Sequence, residues 1–445
     1  MNDGSPQRPA PIGILGKLRN IGPGVVVSGS VVGSGELLVT TRMGAEVGFI
    51  FLWGVIFASV IKYFIQLELG RQCLLNDETT VASLNRIPGF RIRGVSWLAW
   101  LCVIGYASVF ISLIGILGSV GGLLSSVFSS VPYQIWCIIV FVLVAALLWR
   151  GIYEELEKMV TILVAFFSLV VIGSLIFLQD TSYAFSSIDL TSGFSFEMPS
   201  QGAFVALALM GSVGATAVEL FMYPYWLREK GYPGFIGQND GTPEWKERYR
   251  GWMRVLATDA GVCTAIALII TCAYYILGAS VLSRLEVIPS GVGVVDQVSL
   301  IFTETLGPAA KGIFMVGAFC TLFSTLLVFA ASSGRIGADF LHMIGVDFAK
   351  KEEDCKNLSR TLQTAFPAFW LLVILIWSQT PFFFVLLGQN SNSILLLPIA
   401  YGVLYLAMRE TKDRRMSPLV GLALVVTVLA ITIFTFVNLY HSWTS

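Results

Sequence analysis

Long apolar runs separated by short polar segments cover almost the whole chain after its first dozen residues. Most of these runs are close to the roughly 20 residues that an α-helix needs to cross the hydrocarbon core of a bilayer. The pattern therefore predicts eleven membrane-spanning helices, with an amphipathic surface segment at about 294–305. We place the spans at about 18–45, 48–69, 95–124, 134–149, 159–178, 201–227, 255–281, 309–331, 366–378, 382–406 and 419–439.

Composition supports an all-α polytopic membrane protein. Of the 445 residues, 56% are hydrophobic and 13% are charged, against about 25% charged in an average soluble domain. Lys plus Arg and Asp plus Glu number 28 each, so the net charge indicates no nucleic-acid partner, and the lipid bilayer is the expected surrounding. The seven cysteines form no CxxC pair and indicate neither a disulfide framework nor a metal cluster. No cofactor is expected.

Positive charge alternates between the predicted loops. The loops after the even-numbered spans hold most of the cations, such as Arg91 and Arg93 after the second span. The loop after the fifth span carries Asp180, Asp189 and Glu197 with no Lys or Arg. Because cytoplasmic loops are enriched in Lys and Arg, we expect the N-terminus in the cytoplasm and the C-terminus outside, in a bacterial inner membrane.

Two of the apolar spans are interrupted by small residues that an acid follows. In the first span Gly33-Ser34-Gly35 precedes Glu36, and in the sixth Gly214-Ala215-Thr216 precedes Glu219. Interior glycine costs a helix about 1 kcal/mol against alanine, and irregular backbone at membrane depth is tolerated only where it is buried in protein or lines a watery cavity. We therefore predict two broken helices with an acid at each break. The alternative is a tight helix crossing through small residues, with Glu36 at the water interface.

The two interrupted spans head two blocks of five spans that start on opposite sides of the membrane. This arrangement predicts a 5+5 inverted repeat, with a tail at 1–16, a first repeat at 17–178, a second repeat at 200–406 and an eleventh helix at 417–440. The whole chain is predicted to form one transmembrane domain. Glycine-interrupted segments at corresponding positions of two repeats are the strongest sequence indication of a transporter's binding site.

Several motifs, spread over nearly the whole chain, resemble the Nramp family of divalent-metal transporters. Gly22-Pro23-Gly24 is similar to the start of that family's first helix, Gly214-Ala215-Thr216 to its sixth-helix motif, and residues 389–398 to its tenth helix. Residues 49–70 and 330–340 resemble its second and eighth helices. The resemblance implies a LeuT-type fold with helices 1 and 6 broken, and transport of a divalent metal rather than enzymatic activity.

The motifs depart from the family at the metal site. Where typical members have Asp-Pro-Gly-Asn, this chain has Gly33-Ser34-Gly35-Glu36, and where they have Met-Pro-His it has Val218-Glu219-Leu220. The sulfur ligand that the family associates with transition-metal preference is therefore missing. The third span, at about 95–124, contains no acid, although the family's proton route uses acids there. Coupling to protons is therefore not expected.

Glu36 and Glu219 are predicted to face each other in the middle of the membrane. Two carboxylates in a low-dielectric site cannot comfortably both ionise without a cation, and either a divalent metal ion or one shared proton would satisfy them. An oxygen-only set of ligands suits Mg²⁺, Mn²⁺ or Ca²⁺ better than softer metals. Further oxygen ligands are expected at Gly33, Ser34, Thr216, Gln389, Asn390 and Asn392.

Lys62 lies deep in the second span, one turn before Gln66 and near Glu68. A lysine inside the membrane should have a partner. Three interpretations are open: an ion pair with Glu68 or another acid, a tethered cation that replaces a coupling ion near Glu36 or Glu219, or snorkelling to the interface. In the second interpretation Lys62 competes with a metal ion, which favours an organic or anionic substrate.

The favoured function is secondary-active or facilitative transport of a hard divalent cation, Mg²⁺ or Mn²⁺, by alternating access in a monomer. The alternative on the same fold is transport of a small organic solute such as an amino acid, although the fixed charge of Glu36 would repel a substrate carboxylate. A membrane receptor or enzyme is disfavoured, because the sequence has no HExxH, GxSxG or P-loop motif.

Overall fold

The structure, a computed structural model, describes residues 7–20, 33–150, 153–198, 202–346, 352–377, 380–410 and 417–444. Within these residues the chain is helical apart from loops and one short antiparallel ribbon, in which β1 (Arg91–Ile92) pairs with β2 (Val95–Ser96). Two π-helical turns, Gly35–Thr40 and Gly278–Leu282, and one 3-10 turn, Leu178–Asp180, extend the α-helices. The α-helices are α1 (Gly13–Asn20), α2 (Thr41–Val47), α3 (Leu52–Asn76), α4 (Thr80–Asn85), α5 (Trp97–Val127), α6 (Tyr133–Arg150), α7 (Tyr153–Phe177), α8 (Ser187–Ser192), α9 (Ala203–Ser212), α10 (Ala217–Glu229), α11 (Tyr232–Ile236), α12 (Pro243–Leu277), α13 (Val294–Leu306), α14 (Ala310–Met343), α15 (Glu352–Ile376), α16 (Pro381–Arg409) and α17 (Pro418–Thr444).

The described helices account for the predicted spans two to eleven. Eight of them, counting α9 and α10 together, are long and apolar enough to cross a membrane, and two shorter apolar stretches, Tyr133–Trp149 and Val164–Asp180, supply the fourth and fifth spans. The N-terminal part of the predicted first span, residues 21–32, lies outside the described residues. The all-α polytopic architecture is confirmed, and the predicted amphipathic segment is α13, on which most of the apolar residues are buried and Leu306 is exposed.

Three spans continue as helices well beyond their predicted ends. α12 begins at Pro243 rather than near 255, α14 ends at Met343 rather than near 331, and α15 begins at Glu352 rather than near 366. Apolarity marks the part of a helix that lies in hydrocarbon, whereas backbone hydrogen bonding continues into the polar residues beyond it. The start of α12 is set by Thr242, whose side chain accepts a hydrogen bond from the N–H of Trp245, and by proline at the first helical position.

The sixth span is broken where the sequence predicts it. α9 ends at Ser212 and α10 begins at Ala217, and between them Val213 has an extended backbone while Gly214 has a φ of +62°. A β-carbon at position 214 would lie 3.2 Å from the Cα of Ser59 in α3. Both the dihedral angle and the close approach therefore require glycine.

The helix after the first break starts earlier than predicted. The carbonyl oxygen of Gly33 already accepts a hydrogen bond from the N–H of Leu37 at 3.2 Å. The predicted break at Gly33-Ser34-Gly35 is therefore wrong for Gly35, which already begins the π-helical turn. The physical reason is that the Glu36 carboxylate accepts a hydrogen bond from the N–H of Gly33 at 3.2 Å, a group that a helix start otherwise leaves unpaired.

The π-helical turn Gly35–Thr40 packs against the end of α9, just before the second break. A β-carbon at Gly35 would lie 2.6 Å from the carbonyl oxygen of Ser212. The broken sixth span is the most buried of the eight long candidate spans, with 94% of its apolar window inside the protein against 17% for α15. α16 packs along both α5 and α9, so helices from both predicted repeats enclose the breaks.

Candidate functional site

Glu219 lies in the first turn of α10, directly after the second break. Its Oε2 accepts a 2.7 Å hydrogen bond from the backbone N–H of Thr216, and the Oγ1 of Thr216 accepts one of 3.3 Å from the N–H of Glu219. This capping box satisfies two N–H groups that have no partner within the helix. Because Glu219 is only 2% exposed, its carboxylate is held inside the protein.

Glu36 holds the equivalent place after the first break. Its Oε2 accepts the hydrogen bond from Gly33, and its Oε1 lies 3.3 Å from the hydroxyl of Thr271 on α12. Glu36 is fully buried. The negative charge of Glu219 acts on this carboxylate as a like charge, so the two predicted acids lie within electrostatic range of each other.

Lys62 reaches the same site from α3. Its Nζ donates a 2.5 Å hydrogen bond to the carbonyl oxygen of Val213, the residue that follows α9, and its ammonium is attracted to Glu219 and Glu36. Lys62 is 1% exposed, so the side chain does not snorkel to the membrane surface. The carbonyl end of a helix carries partial negative charge, which stabilises a cation there. Among the three interpretations of Lys62, these contacts support the tethered cation.

Glu68 pairs with residues of its own helix and not with the site. This corrects the prediction that it is a charge partner within the site. Its oxygens accept hydrogen bonds of 2.6 Å from both Nε and Nη2 of Arg71, and Oε1 accepts a further one of 2.8 Å from Gln72. Glu68 and Arg71 are both buried. A bidentate pair of this kind satisfies the carboxylate locally, so the charge that balances Lys62 comes from the two acids at the breaks.

The predicted ligands beside the two acids already take part in structural hydrogen bonds. The carbonyl oxygen of Gly33 accepts from the helix that it starts, and Thr216 forms the capping box while its carbonyl oxygen accepts from the N–H of Leu220 at 2.9 Å. Ser34, between Gly33 and the π-helical turn, is 3% exposed. All three residues therefore lie beside the two acids. The oxygens of Gly33 and Thr216 would have to give up their present hydrogen bonds to coordinate an ion.

Polar side chains of α16 line the end of α9. Asn392 donates a 2.8 Å hydrogen bond to the carbonyl oxygen of Gly211. Gln389 donates one of 3.1 Å to the hydroxyl of Ser112 on α5 and accepts one of 3.2 Å from Asn392. Gln389 is therefore close to the second break, and its amide helps to fix α16 against α5 and α9.

Two buried amides near this region have no partner in the part of the chain that the structure describes. They are the side chains of Asn390 on α16 and Gln66 on α3, one turn after Lys62. Buried polar groups are nearly always hydrogen-bonded to protein or to ordered water. These two amides are therefore available to water or to a polar ligand.

Thr271 is a residue of the site that the sequence does not predict. Its hydroxyl lies beside Glu36 and shares its proton with the carbonyl oxygen of Ala267, which is 2.7 Å away on the same helix. In the sequence, Thr271 stands out only as a lone hydroxyl residue in the apolar run 265–273. Such hydroxyls commonly bond to their own helix, so the sequence gives no reason to assign this one to the site.

The arrangement suits a small cation. When both carboxylates are ionised and Lys62 is charged, the buried site carries a net negative charge, which attracts a further cation. Among the described residues, no group of three or more His, Cys, Asp or Glu side chains could hold a metal. An ion bound here would therefore use backbone, hydroxyl and amide oxygens in addition to the acids. Val218, directly before Glu219, is buried and supplies no sulfur.

Solved structures of several membrane transporters are similar to this chain. One is a glutamate-to-glutamine mutant of the Eremococcus coleocola manganese transporter, with a TM-score of 0.65 and 14% identity over 98% of this chain and 90% of that one. Another is MhsT in complex with L-phenylalanine, with a TM-score of 0.59 and 15% identity over 98% and 99%. A third is Mhp1, a nucleobase-cation-symport-1 family transporter, with a TM-score of 0.58 and 12% identity over 95% and 90%. A comparison with curated protein sequences gives no match.

These likenesses define the class of protein. The chain is an integral membrane protein with the LeuT-type 5+5 inverted repeat, in which helices 1 and 6 are broken. The family model described as natural resistance-associated macrophage protein-like matches residues 24–444. The chain therefore belongs to the Nramp family, as its motifs indicate.

Proposed function

We propose that the protein transports a divalent metal cation by alternating access around Glu36 and Glu219. The observation that carries this proposal is the pair of buried carboxylates, each placed at the start of a helix that follows a break. Buried acids inside a membrane protein mark ion or substrate pathways, and two neighbouring carboxylates need a cation for both to stay ionised.

The ligand chemistry favours a hard cation, Mg²⁺ or Mn²⁺. Carboxylate, hydroxyl and amide oxygens lie around the breaks, whereas Val218 brings no sulfur. Oxygen ligands suit Mg²⁺ and Mn²⁺, and softer metals favour sulfur or nitrogen. Family membership supports a metal substrate, and one of the similar structures is a manganese transporter.

The two acids are proposed as the principal ligands. Other oxygens would join them only after breaking hydrogen bonds that they make now, as at Gly33, Thr216 and Gln389. The proposed ligand set is Glu36, Glu219, Gly33, Ser34, Thr216 and Gln389. Such a set supplies six or more oxygens, within the coordination range of Mg²⁺ and Ca²⁺.

Transport without proton coupling is a further part of the proposal. α5, which forms the third span, contains no acid, and chains of acids or histidines are the usual route for protons through a membrane. The metal would then move down its own electrochemical gradient. We propose that the protein acts as a monomer in a bacterial inner membrane, with its N-terminus in the cytoplasm.

Lys62 supports a second candidate, transport of a small organic solute such as an amino acid. A fixed ammonium repels a metal ion and pairs readily with a substrate carboxylate, and MhsT, one of the similar structures, was solved with L-phenylalanine. Against this candidate, Glu36 and Glu219 would repel the same carboxylate. We favour the metal proposal, because it explains the two carboxylates, whereas the organic-solute candidate explains only the ammonium of Lys62.

Uptake by proteoliposomes separates the two candidates. Purified protein is reconstituted and given radiolabelled Mn²⁺, with Mg²⁺, Ca²⁺, Zn²⁺ or amino acids as unlabelled competitors. We expect uptake of Mn²⁺ that Mg²⁺ inhibits and that Glu36→Gln weakens. The matched control is Glu197→Gln, which removes the same charge from an exposed loop and should change nothing. Uptake of an amino acid without any uptake of Mn²⁺ would overturn the metal proposal.

A further inference from the structure

Lys62 is a buried charge that metal binding alone does not explain. Its ammonium is bonded to the carbonyl oxygen of Val213 and attracted to the two acids that are proposed to bind the metal. A cation in that position repels an incoming metal ion. Glu68 offers no alternative explanation, because Arg71 pairs with it at 2.6 Å. The charge of Lys62 therefore needs a role within the site.

That role follows from the transport cycle. In alternating access the site is exposed in turn to the two sides of the membrane, and for net transport it must also return empty. A bound metal ion balances Glu36 and Glu219 while the site is loaded. When the site is empty and no proton replaces the metal, two uncompensated carboxylates would remain in low-dielectric surroundings, which is strongly unfavourable. An internal cation that approaches the acids after metal release removes this obstacle.

We propose that the Lys62 ammonium is this internal counter-ion, which balances Glu36 and Glu219 in the empty transporter and moves aside when the metal binds. The inference rests on the proposed function. Its geometry is suitable, because lysine carries a compact charge on a flexible four-carbon chain. The Val213 carbonyl lies at the negative end of α9, where either an ammonium or a metal ion is favoured. Metal then crosses with no second transported ion, and the protein returns with its own cation in place.

The test compares net uptake with exchange in proteoliposomes. Net uptake of radiolabelled Mn²⁺ into empty vesicles needs the return of the empty protein in every cycle. Exchange into vesicles preloaded with unlabelled Mn²⁺ does not, because metal occupies the site in both directions. The structural role of Lys62 is checked separately by gel filtration and thermal unfolding of each variant.

Four variants isolate the charge. Lys62→Met removes it and keeps most of the chain length, and Lys62→Gln removes it but keeps a hydrogen-bond donor for Val213. Lys62→Arg keeps the charge. Ser168→Ala in α7 is the control, since this buried hydroxyl donates to the Val164 carbonyl of its own helix at 2.8 Å and carries no charge. The Gln variant also keeps the test available if the Met variant does not fold.

We expect Lys62→Met and Lys62→Gln to lower net uptake by about tenfold or more while exchange stays within about twofold of wild type, because only the empty return leaves buried charges uncompensated. Lys62→Arg, which keeps the charge, should retain more net uptake than either uncharged variant, and Ser168→Ala should keep both activities. Equal loss of net uptake and exchange in folded uncharged variants would overturn the inference, and so would unchanged net uptake. If wild-type protein shows neither activity with Mn²⁺, the proposed function itself fails, whatever the variants do.

Discussion

Glu36 and Glu219 make the same contact in the two halves of the chain. Each carboxylate accepts a hydrogen bond from the backbone N–H of the residue three positions earlier, Gly33 in one half and Thr216 in the other. In both places that N–H lies at the start of a helix, where no acceptor is available within the helix. The acids therefore close the helix starts and at the same time hold negative charge at the breaks.

Glutamine at either position separates these two roles. Its carbonyl oxygen can still accept the backbone hydrogen bond, so Glu36→Gln and Glu219→Gln should unfold at temperatures close to that of wild type. Each removes one negative charge from the metal, and we expect the apparent affinity for Mn²⁺ to fall by about tenfold or more, since even the outer partners of metal ligands contribute about 10- to 100-fold. Concentration-dependent uptake and thermal unfolding measure the two effects.

Thr216→Ala measures the contribution of the cap to stability, because it removes the hydroxyl acceptor of the capping box and leaves both acids in place. It should lower stability by about 1 kcal/mol, the usual contribution of a helix cap. Wild-type affinity for Mn²⁺ in both glutamine variants would show that the acids act only as caps.

The second break should not accept a side chain at position 214. Gly214→Ala places a β-carbon at a φ of +62° and 3.2 Å from the Cα of Ser59. The left-handed conformation alone costs an L-residue about 1–2 kcal/mol, so we expect a lower unfolding midpoint and weaker transport. Gly173→Ala in α7 is the matched control, since nothing lies within 4 Å of its added β-carbon. Equal stability of the two variants would contradict the importance of this turn.

The orientation in the membrane is open to direct labelling. Arg93 lies in the turn between β1 and β2, and Ser187 is exposed at the start of α8. The alternation of loop charge predicts position 93 inside and position 187 outside. Cysteines introduced at these sites, in a background without the native thiols, should react with a membrane-impermeant maleimide only at 187 in intact cells. Ser187 is preferred to Ser186, whose side chain caps α8. Labelling of both positions from one side would refute the topology.

The span pattern and the second break were predictable from the sequence, because they depend on local properties. Apolar runs indicate segments that are buried in hydrocarbon, and the glycine at position 214 indicates a backbone angle that only glycine adopts easily. The end of α14 was not predictable from apolarity, since the helix continues past the membrane into polar residues as far as Met343. The helix start near Gly33 depends on the side chain of Glu36, which extends back to accept a hydrogen bond from the Gly33 N–H. A count of small residues does not reveal this contact.

The partners within the site were less predictable than its two acids. Lys62 and Glu68 are six positions apart on one helix, and sequence spacing alone could not decide whether they pair. The structure decides it through Arg71, which lies one turn beyond Glu68 and takes its carboxylate. Thr271 comes from a distant span, and only tertiary packing brings it to Glu36.

Metal preference should depend on position 218. Val218 is buried immediately before Glu219, where typical members of the family have methionine. A thioether is a soft ligand that favours metals such as Cd²⁺ over Mg²⁺. Val218→Met should therefore make Cd²⁺ a stronger competitor of Mn²⁺ uptake and leave inhibition by Mg²⁺ unchanged or weaker.

Val218→Leu is the control, because it adds bulk without sulfur and separates overpacking from coordination. Competition curves for both metals, measured on wild type and the two variants, test the prediction. If Met and Leu shift the Cd²⁺ curve equally, the residue at 218 acts through its size, and the absence of sulfur does not explain a preference for hard cations.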